Sequence, residues 1–411
     1  MHFSSSLIAL VAAFPGLISA APARSYGKRN AGASDILVFK FADVLEQLEA
    51  TFYTQALAKF QDSDFVTAGF PSPQVAIEQL SQIQADESTH STVLQAALKS
   101  FGEEPITSCK FNFDSVLTDV TTMAVVARVV ETVGVGAYLG GSTLLTDPVL
   151  LTSAASILTV EARHQTILNV LSGSGTAIPS AFDIALTPSE VLALAGPFFD
   201  GPCDLGIPAN PGLSLTNTGS VGVGTQLSFT SPAITSANDT SKFFCQMLVG
   251  GAFSSIALPF DNCVVPAGIN GPVAIFITSD GQPLLNNVRD RATTQLVAGP
   301  LMAFIDTQPQ MLGQLARQGS DSNSPSSTST RTISPAEASS IIATDAASAT
   351  PAPTGAASAT DSAATASSTD AASSQVLSAS APSTPGKPNA FVGKSADGSI
   401  GVLGWSNLPS N

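Results

Sequence analysis

Two short motifs constrain this chain more than anything else in it: Glu87-Ser-Thr-His90 and Glu161-Ala-Arg-His164. On an α-helix residues i and i+3 share a face, so each Glu-x-x-His aims a carboxylate and an imidazole at one point. The chain has 411 residues and three histidines, and the third, His2, lies at the extreme N-terminus. Both remaining histidines are therefore committed to the same pattern. A single Glu-x-x-His is most often a surface ion pair. A repeated one, in a chain this poor in histidine, reads as two halves of a metal site and requires a fold in which two helices face each other.

The helices are legible from cap and breaker residues between Ser34 and about Leu171. Helix A is expected from about Ser34 to Phe60. Helix B starts at Ser72-Pro73, a cap residue with proline in the first turn, and continues to about Ser100. Helix C covers about Ser115 to Leu139 and ends at Gly140-Gly141, and helix D runs from Asp147-Pro148 to about Leu171. The stretch from Phe101 to Asp114, extended at about 3.3 Å per residue, can cross the length of a helical bundle. Two hairpins, A with B and C with D, joined by one crossover make a four-helix bundle. Thr187-Pro-Ser-Glu190 is a capping box that opens a short fifth helix through Leu194.

A dinuclear bundle site needs one Glu from each of two helices and a Glu-x-x-His from each of the other two. Helices B and D carry the pairs. Helix C offers only Glu131, inside the apolar run Val125 to Val135, where a carboxylate is costly to bury unless paired or metal-bound. Helix A offers Glu46 and Glu49, and an internal repeat separates them. Tyr138 follows Glu131 by seven residues and Tyr53 follows Glu46 by seven, close to two turns, so each tyrosine shares its glutamate's face about 10 Å along the axis. Superposing the halves places Glu46 on Glu131 and Glu49 on Gly134. The expected ligand set is Glu46, Glu87, His90, Glu131, Glu161 and His164, with Glu49 outside it or exposed. Arg128 can pair with Glu131 at i+3, and Asp86 and Arg163 are expected outside the ligand set or facing solvent. Four carboxylates balance two divalent cations, and mixed carboxylate and imidazole ligation suits iron or manganese better than structural zinc, with copper open on ligand type. Tyr53 and Tyr138 would hydrogen-bond or donate electrons beside the ions.

From about Asn210 to Thr307 the pattern changes to short β-rich runs between Gly, Asn and Pro turns, which reads as a β-sandwich. That stretch contains no glutamate, histidine, tyrosine or tryptophan, so acid/base chemistry and aromatic sugar stacking lack their usual groups there. Asn238-Asp-Thr240 is a glycosylation sequon. From about Gln318 to Pro388 the chain is nearly all Ser, Thr, Ala and Pro, a composition that cannot bury enough apolar surface to order itself. The expected fold class is thus α+β multidomain: leader 1–20, propeptide 21–29, four-helix bundle 30–200, β-rich domain 201–315, disordered stalk 316–388 and a C-terminal segment 389–411 around the single Trp405.

The N-terminus reads as a secretory signal, with an apolar stretch Leu7 to Ile18 and small residues Ser19, Ala20 and Ala21 at a cleavage point. Lys28-Arg29 suits a dibasic processing protease and would put the mature start near Asn30. Four cysteines in an oxidising route give two disulfides, with Cys109 to Cys203 and Cys245 to Cys263 preferred among three connectivities. The net charge of −15 with 16 basic residues argues against nucleic acid or anionic membrane as partner. No later span is expected to be long and apolar enough to cross a bilayer, since Met123 to Leu139 carries Arg128 and Glu131. A secreted protein, soluble or cell-wall associated, is expected.

The segments Leu45 to Leu57, Asp86 to His90 and Val160 to Gln165 resemble the ferritin-like domain family that includes plant desiccation-related proteins and secreted fungal stress-response and late sexual development proteins. The resemblance covers about Ser34 to Leu171. It implies a ferritin-like bundle, the same six positions as metal ligands, and a role in stress or development rather than a settled reaction. Two functions follow as expectations. One is an oxidoreductase with two iron or manganese ions, an oxidase or a catalase-like enzyme, whose small-molecule oxidant is O2 or peroxide. The other is a structural or protective surface protein, held in the cell wall or extracellular matrix, whose metal site is inert.

Overall fold

The computed structural model describes residues 31–317, apart from Ser174 and Asn238, together with two short strands near the C-terminus. The leader, the dibasic pair, Asn238 of the sequon, the Ser/Thr/Ala/Pro-rich stretch from 318 to 388 and Trp405 lie outside the described residues. The cap signals place the helices well. α1 spans Ala33–Lys59, α2 Asp62–Thr67, α3 Pro73–Phe101, α4 Val120–Ser142, α5 Pro148–Ser172 and α6 Pro188–Ala195. Asp147 accepts from Val149 N at 2.7 Å and so satisfies a free first-turn amide of α5. Thr187 and Glu190 close the capping box reciprocally at the start of α6.

Three details differ from expectation. α2 is an additional short helix, sealed by Phe65, which is 1% exposed. α4 starts five residues late because Asp119, not Ser115, is its cap, accepting from Thr122 N at 2.8 Å. α4 also continues through Gly140 and Gly141 instead of ending there. The segment Ile184 to Leu186 crosses α4 so closely that a Cβ on Gly140 would lie 1.7 Å from the Leu186 carbonyl oxygen, and Leu186 N donates to Gly136 O at 2.9 Å. Gly136 and Gly140 serve close approach, and Gly140 does not terminate the helix.

α1 packs mainly on α3, and α4 on α5, with lighter α1–α4 and α3–α5 contacts that close the assembly. Side chains near the start of α1 meet those near the end of α4: Asp35 accepts from Thr146 N and Thr146 Oγ1, pinning the start of α1 to the turn between α4 and α5. The two hairpins therefore need the long connection 102–119, tied down by the disulfide Cys109–Cys203 and by Gln47 Nε2 donating to Ile106 O at 2.9 Å. α4 is by length and composition apolar enough to cross a membrane, contrary to the expectation from its charges. Its most apolar window is 67% buried against the rest of the protein.

Downstream, β1 Ser214–Leu215 pairs with β2 Phe229–Thr230, followed by α7 Pro232–Thr235. β3 Phe244–Val249, β4 Ile256–Pro259, β5 Gly271–Thr278 and β6 Leu296–Ile305 form an antiparallel sheet in the order β4-β3-β5-β6, and α8 covers Met311–Arg317. Alternation divides the sheet's faces. Leu248, Ala274 and Phe276 join the core of the helices, whereas Cys245, Met247, Val273, Ile275 and Ile277 build a second core with Leu213, Leu227 and Val265. β5, buried along its whole length, is the shared wall. The second disulfide, Cys245–Cys263, sits in that second core, so both cystines pair as expected. Arg291, 6% exposed, joins the sheet region to α6 by donating to Glu190 Oε2 at 2.6 Å. Residues 327–411 separate as a second unit, in which β7 Gly393–Lys394 pairs antiparallel with β8 Gly401–Val402.

Candidate metal centre

All six expected ligands converge inside the helices. Glu46 on α1, Glu87 on α3, Glu131 on α4 and Glu161 on α5 are each 0% exposed, and His90 and His164 lie among them. They form two overlapping groups. One is Glu46, Glu87, His90 and Glu161; the other is Glu87, Glu131, Glu161 and His164, with the donor atoms of each group within 4.8 Å of one another. Glu87 and Glu161 belong to both, so the two groups form one continuous cluster.

Inside the centre His90 hydrogen-bonds to Glu46 and Glu87, while the other histidine–carboxylate contacts are short without being aligned as hydrogen bonds. His164 Nδ1 is 2.7 Å from Glu87 Oε1 and 3.4 Å from Glu131 Oε2. His90 Nδ1 is 3.0 Å from Glu87 Oε2 and 3.2 Å from both Glu46 Oε2 and Glu161 Oε1. Among the described residues, Glu87 Oε1, Glu131 Oε2, both oxygens of Glu161 and His164 Nδ1 are buried with no hydrogen-bond partner. Each such atom normally costs about 1–3 kcal/mol, more when charged. Bound cations would satisfy these five atoms, and the mixed carboxylate and imidazole donor set fits divalent iron or manganese.

The tyrosines are placed reciprocally. Tyr53 on α1 donates its hydroxyl to Glu131 Oε1 on α4 at 2.6 Å, and Tyr138 on α4 donates to Glu46 Oε1 on α1. The seven-residue spacing puts each tyrosine on its glutamate's face, and because the two helices run in opposite directions each hydroxyl reaches the other helix's carboxylate. Tying up one oxygen of Glu131 leaves Oε2 to face the centre, and the same holds for Glu46, whose Oε2 faces His90.

Protonation follows from burial and crowding. Burial, then the neighbouring carboxylates, pushes Glu49 and Glu161 well above the usual carboxyl range, and burial followed by Glu131 raises Glu87 to about 8. Burial alone would lower His90, but hydrogen bonding to Glu161, Glu46 and Glu87 outweighs it and pushes it up to about 12. His164 rises to about 11 through Glu131 and Glu87 in the same way. Tyr53 and Tyr138 are raised well above the usual phenol value by burial and by the carboxylates they bond, so they stay donors. Without cations the centre holds protons in their place.

Glu49 corrects the sequence reading in one respect: it is not exposed but 4% accessible, directed at Glu161. Gly134, its counterpart in the repeat, makes the room, since a Cβ there would lie 3.0 Å from Glu49 Oε1 and 3.1 Å from Glu161 Oε2. Asp86 contacts the outer His164 Nε2 at 3.2 Å, holding the ring with Nδ1 inward, and Arg163 faces solvent. Arg128 turns away from Glu131. Its guanidinium forms a two-pronged pair with Asp306 at 2.8 Å per contact, donates to Asn169 Oδ1, and lies 3.8 Å over the Phe304 ring. Asp43 occupies the matching place on α1, accepting from Ser91, Gln95 and Gln47. Both networks were missed from sequence. Their signal was positional: Asp43 and Arg128 stand three residues before Glu46 and Glu131, and Ser91 directly follows His90.

Residues 34–174, which run from α1 through α5, match the family model for the ferritin-like domain. No curated protein matches the chain. The N-terminal helical domain is thus ferritin-like, with buried carboxylate and histidine clusters able to bind metal ions.

Proposed function

We propose that α1, α3, α4 and α5 are a ferritin-like four-helix bundle that holds two divalent ions, iron or manganese, and that the chain is a secreted oxidoreductase acting on O2 or peroxide. The observation that carries this is the pair of overlapping Glu/His groups sharing Glu87 and Glu161, with five of their atoms buried and unpartnered. Bound iron or manganese would supply the change of valence that reaction with O2 or peroxide requires. The chain's own residues do the rest. Glu46 with His90 would hold one ion and Glu131 with His164 the other, with Glu87 and Glu161 available to both. Tyr53 and Tyr138 fix the terminal carboxylates, while Asp86 fixes the ring of His164.

The leader and the two disulfides support export, and the Ser/Thr/Ala-rich stretch supports association with a cell wall or matrix. The family resemblance supports a role in stress response or development. That same stretch favours the second reading, a protective surface protein whose metal only stabilises the bundle. Peroxide consumption and Fe(II) oxidation by the metal-loaded protein decide between them: Glu131→Gln should abolish both while the circular dichroism spectrum is unchanged. A loaded wild-type protein inert in both assays supports the structural role instead.

A further inference from the structure

α1 and α4 touch only lightly compared with α1 on α3 or α4 on α5, and the groove between them holds two small cavities of about 30 Å³ each. The outer one opens beside Leu37 and Leu144, which are 39% and 40% exposed. It runs inward past Val38 and Ala137. The other, likewise open to the surface, is bordered by Leu194 and Phe198. Both are bordered by Leu45, Glu49 and Gly134. From Leu37 to Glu49 the helical rise is about 18 Å. At its deep end the missing side chain of Gly134 opens onto Glu49 Oε1 and Glu161 Oε2, so the groove ends at the metal centre. Glu49 has no hydrogen bond among the described residues although it is 4% exposed.

We propose that this groove delivers dioxygen to the centre, a statement that rests on the redox reading above and selects its oxidant. Size and lining both argue for it. A single water needs about 10–15 Å³ on this measure, so each cavity admits a diatomic molecule but no organic substrate. The walls are mostly Leu, Val, Ala and Phe. A polar solute would shed hydrogen bonds there at a cost of several kcal/mol, whereas dioxygen has none to shed. The opposite side of the centre is polar, with the Asp86 side chain, 32% exposed, touching His164, so peroxide would approach from there and not through the groove.

Gly141 allows a test that leaves the ligands alone, because a Cβ there would meet Val38 Cγ1 at 3.5 Å, an ordinary contact. Gly141→Val narrows the groove, and Gly141→Ala serves as the milder variant if valine disturbs folding. Crystals of wild type and variant are pressurised with xenon, and the iron-loaded proteins are mixed with dioxygen or hydrogen peroxide in stopped flow. Xenon should occupy the groove in wild type and be lost or weakened in the variant. The dioxygen rate should fall about tenfold, the scale of 1.4 kcal/mol in the barrier, with the peroxide rate unchanged. Xenon absent from the groove of a protein that reacts with dioxygen overturns the path alone, as does equal slowing of both oxidants. A wild-type centre inert to both oxidants overturns the redox reading and the path together.

Discussion

The hydroxyl of Tyr53 on α1 is 2.6 Å from Glu131 Oε1 on α4, and the mirror-image contact joins Tyr138 on α4 to Glu46 on α1. The two halves of the repeat thus cross-brace each other: each supplies a terminal carboxylate and the phenol that orients the other's. Groups that orient metal ligands typically contribute 10–100-fold to affinity. Tyr53→Phe should weaken the ion held by Glu131 and His164 by about that factor, and Tyr138→Phe the ion held by Glu46 and His90. Metal titration calorimetry of each variant should show one of two binding events weakened. Two unchanged events would remove the bracing role.

Stability of the metal-free protein should fall as pH rises. Glu87 is raised from 4.5 to about 8, and His90 and His164 from 6.5 to about 12 and about 11. The folded chain therefore holds protons that the unfolded chain has released, from pH 4.5 upward for Glu87 and from 6.5 upward for the histidines. That stabilisation is complete below those values and is lost as pH approaches the folded ones. Chelator-treated protein should melt at a higher temperature near pH 5 than near pH 8. Since bound cations replace these protons, the rise in melting temperature on adding metal should be larger at the higher pH. A melting temperature that climbs with pH in the metal-free protein contradicts this protonation pattern.

Arg128 is 3% exposed and pairs with Asp306, just beyond β6, so it fastens the sheet region to α4. Removing one partner of a buried pair typically costs about 3–5 kcal/mol. Arg128→Met should lower the urea midpoint accordingly, while folded variant protein still binds both ions. A variant with normal stability would show that the pair fastens nothing.

The glycines of α4 should separate by role. Gly140→Ala drives a Cβ into the Leu186 backbone and should unfold the protein, despite the gain of about 1 kcal/mol in helix propensity. Gly134→Ala meets only the carboxylate ends of Glu49 and Glu161, which can shift. It should fold with near-normal stability and bind metal more weakly. Thermal melts paired with metal titration distinguish the two, and equal effects on both measurements would refute the division.

The helices and the clustering of the six Glu and His residues were legible because their signals are local. Cap residues such as Asp147 mark helix starts, and Glu-x-x-His spacing fixes a shared face. The repeat extended this to Glu46 and Glu131. Three kinds of feature escaped, all set by tertiary contact. Gly140 and Gly141 resemble a helix terminator until Leu186 is seen lying across Gly140. Glu49 looks dispensable until Gly134 is seen opposite it. Arg128 has an acidic neighbour at i+3, yet its partner is Asp306, 178 residues away in sequence. The reciprocal reach of the tyrosines likewise needed the opposed directions of α1 and α4.

Elemental analysis of the purified full-length protein tests the central claim most directly. Two equivalents of iron or manganese per chain are predicted, falling below one in Glu87→Ala, because Glu87 belongs to both Glu/His groups. Wild-type protein that carries no stoichiometric transition metal after purification and reloading would contradict the account.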